Sequence, residues 1–456
     1  MSLKKWVAFL RDAAGHEETD SALKQMLPGM LVEQAAAVLL ANVNIFVMGF
    51  ISTEALAGVG QISTLNSILM NAFQAFSIGG TAVVARSIGA GKRDEASGTA
   101  ASGLLLGGLF SLLITCLIWC LRVPLVTLLF GAAEPSVIEN SLIYFNYTAL
   151  APVMWFFYFQ CCGFMRSAGD TRTPMMISIV LNTLSIVLNV LFSLVLKLGV
   201  KGSALAYLLS VTVSAALAFL LLQRKGSAIR ASLHRNSGLR RGFRDIAAIA
   251  FPSTAENLAF NGSRIVIQVF LAGMGTVMIS ANQVFNSVNE VILVPFMSIY
   301  YLIIPLVGLS AGSNDRERVR DTVSHLVRRS MLWAILTGLA HFVLCVPLCL
   351  LFTRDTEVIR IASVMLVIFG IVSPLQSTCF VLPNGMKAVG DARFPMLFSS
   401  VTAWGIRVLG TWLLGVVCGW GAYAIIATQA LDYVARSIAY YRRFRGGKWL
   451  RSCRSE

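Results

Sequence analysis

MRSAGDTRTPM, residues 165–175, is a short polar turn in a chain that is otherwise mostly apolar, and MKAVGDARFPM, residues 386–396, repeats it in the second half. Met165, Gly169, Asp170, Arg172, Pro174 and Met175 recur in order as Met386, Gly390, Asp391, Arg393, Pro395 and Met396, and Arg166 recurs as Lys387. Gly and Pro let a chain reverse sharply, while Arg and Lys hold such a turn at a membrane surface. A single G-D-x-R-x-P carries little weight. Two copies at matching places mark an internal repeat, and the repeat decides the fold.

The turn stands out because its surroundings are so apolar. Of the 456 residues, 56% are hydrophobic and 13% charged, against about 25% charged in a soluble domain. Mean hydropathy is +0.74. Twelve apolar segments can be marked, at 26–50, 57–86, 99–121, 137–163, 174–196, 202–223, 248–273, 278–308, 327–352, 358–384, 395–418 and 420–441. Each reaches the roughly 20 residues that a hydrocarbon core requires. The second and eighth run long, which implies tilt or extension beyond the bilayer. The expected class is an all-α, multi-pass integral membrane protein of the plasma (inner) membrane, with the lipid bilayer as its first partner.

Both copies of the turn fall after the fourth span of a six-span unit, and other landmarks repeat with them. Pro28 opens the first span and Pro252 the seventh, with Glu33 and Glu256 shortly after each. Phe46 and Gly49 match Phe270 and Gly273, and IGAGKRDEA at 88–96 matches LSAGSNDRE at 309–317. The organisation read from this is an N-terminal segment 1–25, an N-lobe 26–223, a basic linker 224–247, a C-lobe 248–441 and a basic tail 442–456. Six is even, so both halves start on the same side. The two six-helix lobes are expected to be related by a parallel pseudo-twofold along the membrane normal, one of the symmetries of secondary transporters.

Charge sets the expected orientation. With the N-terminus cytoplasmic, 30 of the 37 basic residues lie on inward segments and helix ends and five on outward loops, the last two, Arg264 and Arg407, falling inside spans. That asymmetry places both termini in the cytoplasm. It also accounts for the net charge of +15 through topology and contact with anionic headgroups, so no nucleic-acid partner is expected. Residues 1–25 lack the apolar core of a secretory signal, and the first span is expected to act as its own insertion signal. The Cys lie mostly in apolar runs, without His at metal-ligand spacing. No P-loop or other nucleotide fingerprint is present. The four His (His16, His234, His325, His341) are scattered, so an integral membrane enzyme is not expected, nor is a cofactor or metal.

With the GDTRTP turn after span four, its degenerate second copy, the opening prolines of spans one and seven and the six-plus-six arrangement on the page, the chain resembles the multidrug and toxic compound extrusion (MATE) family over about residues 25–441. The resemblance implies a monomeric antiporter that expels small amphipathic compounds, cationic or zwitterionic, in exchange for H⁺ or Na⁺, by alternating access of two lobes. A flippase-type exporter of a lipid-linked or specific metabolite is the alternative. Twelve spans and the intact GDTRTP favour the antiporter.

The sequence departs from that family at its acids. Where bacterial members carry Asp in the first span, ANVNIFVMG has Asn44. In the fifth span LNTLSIVLN offers Ser185 and Asn189, and residues 358–384 hold no acid. Asn cannot exchange a proton, so the usual N-lobe carboxylate site is missing. The ion-coupling candidates are Glu33, Glu256 and Glu290. Interfacial snorkelling or capping is the alternative for the first two. An acid at the depth of Glu290 costs roughly 2.5–3.5 kcal/mol to insert. Cavity candidates are Asn44, Asn182, Asn189, Asn257, Asn261, Gln283, Arg264, Arg407 and Tyr144. Two readings stay open for Arg264 and Arg407: neutralising Glu290, or recognising an anionic or zwitterionic group on the substrate.

Overall fold

The computed structural model describes residues 17–49, 53–130, 135–224, 229, 231 and 239–452, and these form twelve helical rods in two repeats of six. In the first repeat α1 spans Glu17–Gly49, α2 Thr53–Gly89 and α3 Arg93–Phe130. α4 is in two pieces, Pro135–Thr148 and Ala151–Ser167, bent by 47°. α5 runs Arg172–Asn189 and continues as a π turn over Val190–Val195, and α6 spans Gly199–Gln223. The second repeat begins with α7 (Leu239–Ala272), α8 (Thr276–Gly312) and α9 (Arg316–Phe352). α10 runs Thr356–Val372 and on, through irregular turns, to Leu382–Ala388. α11 holds Arg393–Thr402, π turns at Ala403–Val408 and Trp412–Val417, and Leu409–Thr411 between them; α12 is Ala422–Arg445.

Local chemistry explains the irregularities. Pro152 sits in the first turn of the second piece of α4, where its missing N–H is no loss and its fixed φ suits a restart. Eight of the rods are long and apolar enough to cross a membrane among the described residues, and α4 makes a ninth if its bent pieces count as one span. The remaining rods are α1, α7 and α12, which carry the acids Glu33, Glu256 and Asp432 of three ion pairs. α1 and α7 also start earlier than the expected spans, at Glu17 and Leu239. Hydropathy detects what a bilayer covers, and these extensions are held by polar and packing contacts instead.

The described residues divide into two compact units. One holds Pro28–Thr254, the other the described residues up to Leu27 together with Ala255 onward. The divisions fall at Pro28 in α1 and two residues after Pro252 in α7.

Within the Pro28–Thr254 unit, Val84, Phe164, Met165, Ile177, Leu181 and Val211 form one buried cluster, and Val59, Ile62, Phe145 and Ala204 another. Lipid tails are as apolar as leucine, so helix association in a membrane relies on close packing rather than on escape from water. Small residues supply it here. A Cβ on Gly107 of α3 would stand 2.1 Å from the Phe156 ring of α4, and one on Gly79 of α2 would stand 2.7 Å from the Ile246 carbonyl of α7. Phe251, also on α7, meets Phe76 and Phe110 edge-on at 5.6 and 5.5 Å.

In the other unit Phe296, Ile299 and Leu302 of α8 are fully buried, and Phe369 of α10 packs on Phe285, His341 and Tyr433. The outer faces are the reverse. Leu109, Leu113 and Leu117 on α3, at helical spacing, are exposed, as are Leu339, Val343 and Leu351 on α9. Contiguous apolar faces of this kind suit lipid and not water.

Candidate functional site

The duplicated turn is a helix C-cap followed by a helix start. After α4 the Asp170 N–H donates to the Met165 carbonyl (3.0 Å) and the Gly169 N–H to that of Arg166 (3.0 Å). After α10 the same two bonds run from Asp391 to Met386 (3.0 Å) and from Gly390 to Lys387 (2.9 Å). This pairing is the Schellman motif, which needs a left-handed residue after the helix. Gly169 at φ +85° and Gly390 at φ +104° provide it. Pro174 and Pro395 are buried in the first turn of the helices that follow, with Arg172 and Arg393 exposed beside them.

The aspartates differ between the copies. Asp170 Oδ1 accepts the Thr173 N–H at 3.0 Å and caps α5, whereas Asp391 takes two bonds from Arg443 of α12, at 3.0 and 3.1 Å. No atom lies within 4 Å of a Cβ built on Gly169, so a substitution there changes backbone strain alone, and Gly390 shares the left-handed φ that makes a side chain strained. Gly169→Val and Gly390→Val should each lower stability by about 1–2 kcal/mol, read from thermal unfolding in detergent. An unchanged midpoint for both would refute the turn geometry.

The first basic residue of each copy does not stay at the surface. Arg166 points into its unit and forms a charge-assisted hydrogen bond with Glu33 Oε1 of α1. Lys387 Nζ stands 2.8 Å from Glu256 Oε2 of α7. Glu33, Lys387, Arg166 and Glu256 all keep 15% or less of their side-chain surface. So the two repeats carry one ionic pair each, built from the same elements: an acid on the first rod and a base at the end of the fourth. Of the two readings of Glu33 and Glu256, ion coupling and interfacial snorkelling or capping, the geometry adds that each acid is held by a base from the end of the fourth rod. Glu33 Oε2 keeps no hydrogen-bond partner among the described residues.

The other candidates are scattered over their units. Asn182 is buried on α5 with its Nδ2 unpartnered among the described residues, and Asn189, also buried, accepts the Ser193 hydroxyl at 2.9 Å. Asn261 Nδ2 donates to the carbonyl and side-chain oxygens of Asn257, one turn earlier on α7, at 3.0 and 2.8 Å. Tyr144 belongs to the buried cluster of α2, α3, α4 and α6, and Gln283 is exposed on α8. The side chain of Asn44 lies outside the described residues. Glu290 is exposed on α8, with Arg264 the cation in electrostatic reach. Of the two readings of Arg264 and Arg407, neutralisation of Glu290 finds no ion pair of 4 Å or less among the described residues: Arg264 acts on Glu290 only at longer range, and Arg407 turns toward α12 and the Phe260 ring.

Two features went unread in the sequence. Asp432 and Arg436 of α12, at 0% and 3% exposure, form an ion pair of 2.8 Å. Their signal was present: opposite charges four apart inside the last apolar segment face each other on a helix. The second is Asp20, on the extension of α1, which holds Arg329 and, at 2.7 Å, His325 of α9. Burial pushes its carboxyl up, but hydrogen bonds from Arg329 and His325 and their charges outweigh that and hold it below the ordinary carboxylate value. This contact is therefore fully made above that value and is lost as acidification passes the lowered one.

Comparison with known proteins adds the family. The MatE family model matches residues 30–191 and 252–413, one copy in each half. A relative from Thermotoga maritima named "Probable multidrug resistance protein NorM" is 24% identical, covering 94% of this chain and 92% of its own. The "FAD transporter" of Shewanella oneidensis is 24% identical over 69% of this chain and 70% of its own. A crystal structure of a mutant of the Vibrio cholerae MATE transporter VcmN superposes with a TM-score of 0.84 at 23% identity, covering 95% of this chain and 98% of that one.

Proposed function

This chain belongs to the MatE family of membrane transporters, and from that premise we propose that it is a secondary-active exporter of small amphipathic molecules. In this reading it acts as a monomer in the inner membrane, with both termini cytoplasmic, and couples export to inward movement of H⁺ or Na⁺. The observation that carries the reading is the repeated ionic pair, Glu33 with Arg166 and Glu256 with Lys387. A carboxylate held by a base responds to an arriving proton or Na⁺, which competes with that base for the same oxygens. Each arrival loosens the link between the first and fourth rods of one repeat. A two-state element of this kind is what alternating access requires.

The relatives support the cargo class in two ways. Names of the multidrug type point to broad amphipathic substrates. The FAD transporter among them favours a second reading, export of one specific metabolite.

The test is dye or drug efflux from proteoliposomes under an imposed pH gradient and then a Na⁺ gradient. Glu256→Gln or Glu290→Gln is expected to abolish gradient-driven efflux while substrate binding stays measurable. If Glu33→Gln, Glu256→Gln and Glu290→Gln all retain full efflux, coupling through carboxylates is wrong for this protein.

A further inference from the structure

Arg407 lies on the π turn Ala403–Val408 of α11 and keeps 6% of its surface. Of its three nitrogens, one Nη reaches Gln429 Oε1 at a long 3.5 Å. Nε and the other Nη, which together carry three of the five N–H groups of a guanidinium, have no partner among the described residues. The guanidinium carbon sits 4.9 Å from the centre of the Phe260 ring. One face of the cation thus rests on an apolar surface while most of its donors are unused.

The surrounding charges do not complete it. Arg436 shares the Phe260 ring, at 5.2 Å, but is committed to Asp432 at 2.8 Å, the Thr402 hydroxyl at 2.9 Å and the Ser399 carbonyl at 3.3 Å. Asp432 is the one carboxylate of this cluster, and it is committed to Arg436 through Oδ1; its Oδ2 bonds nothing among the described residues. The hydroxyl of Tyr433 is taken by Gln429 Nε2 at 3.0 Å. Arg264, exposed one turn beyond Phe260, acts on Arg407 as a further like charge. Arg407, Arg436 and Asp432 sum to one uncompensated positive charge, and Arg264 adds to it before Glu290 offsets it.

A buried guanidinium without an anion is costly, and its planar fork of donors matches a carboxylate or phosphate. We propose that Arg407 is the anion-recognition residue of the Ala255–Glu456 part of the protein, and that the exported amphiphiles carry a carboxylate or phosphate group. Exposed Arg264 attracts that group first, and Arg407 binds it against Phe260, away from water. Helices that take up π turns often do so at functional sites, and here the turn is what carries Arg407. This deepens the exporter reading and rests on it for the direction of transport, though not for binding.

Binding is therefore measured without a gradient, on purified full-length protein in detergent, with matched pairs that differ by one anionic group. The pairs are norfloxacin with its methyl ester, and 1-naphthyl phosphate with 1-naphthol. The parent protein is expected to bind the anionic member of at least one pair tenfold or more tighter. Arg407→Gln should bring that ratio near one with the neutralised member unchanged, and Arg407→Lys should fall between. A purely structural role for Arg407 would weaken both members in parallel, or lower the unfolding temperature of the glutamine and lysine variants alike. That pattern overturns the proposal, as does a parent protein that discriminates in neither pair. Intact discrimination with no gradient-driven efflux would leave the site standing and sink the exporter reading.

Discussion

Replacing Arg436 with methionine should destabilise the protein by about 3–5 kcal/mol, the cost of leaving a buried charge without its partner. The charge is the Asp432 carboxylate, which has no exposed surface and one cation on it, 2.8 Å away. Arg436 also bonds Thr402 and Ser399 of α11, so the loss reaches the packing of α11 on α12. The double variant Asp432→Leu with Arg436→Met should recover most of the stability, since a well-packed apolar pair can replace an ionic one at little cost. Thermal unfolding in detergent reads both. A single variant as stable as the parent, or a double variant worse than the single, would show that the pair is not what compensates Asp432.

Arg166→Met and Lys387→Met should each cost a similar amount, toward the upper end for Arg166, whose partner Glu33 keeps 9% of its side-chain surface against 15% for Glu256. The second change should be milder because water reaches Glu256 more readily and screens the orphaned charge. Pairing each with its acid's glutamine variant, Glu33→Gln or Glu256→Gln, should restore folding, since the neutral amide carries no charge to strand. The comparison is sharp because the repeats are independent cases of one arrangement. Should the lysine variant prove the more damaging, or should neither glutamine partner rescue, the two pairs would not be equivalent supports of their rods.

Much of this was legible in the sequence because the membrane simplifies the code. A run of some 20 apolar residues has one reading in a bilayer, so the rods could be counted and their midpoints placed. The repeat was also legible: Gly169 and Gly390 stand where a left-handed residue is needed, and no periodicity argument was required to match them. The correspondence of Arg166 with Lys387 and of Glu33 with Glu256 was visible too. That each base meets each acid was not, because proximity between the first and fourth rods is a property of packing and leaves no mark on spacing. Asp432 was overlooked for a different reason. It lies inside the last apolar segment, and nothing in its spacing to Arg436 shows that the pair is buried; the partners that enclose Arg436, namely Thr402, Ser399 and Phe260, lie far away in the chain. The early starts of α1 and α7 escaped because hydropathy is blind to polar helix.

The π turns at Ala403–Val408 and Trp412–Val417 have a consequence for how α11 tolerates change in length. Each winds its hydrogen bonds to the fifth residue back instead of the fourth, and so stores one surplus residue relative to an ordinary turn. Shortening the chain by one residue inside either stretch removes the surplus and leaves a regular α-helix, a gentler event than the same deletion in α8 or α9. The deletion is not neutral in aim, however. One residue is about 100° of helical rotation, so every side chain on one side of the cut turns to a new bearing. In α11 the length of the rod and the heading of its arginine are set by the same extra residue.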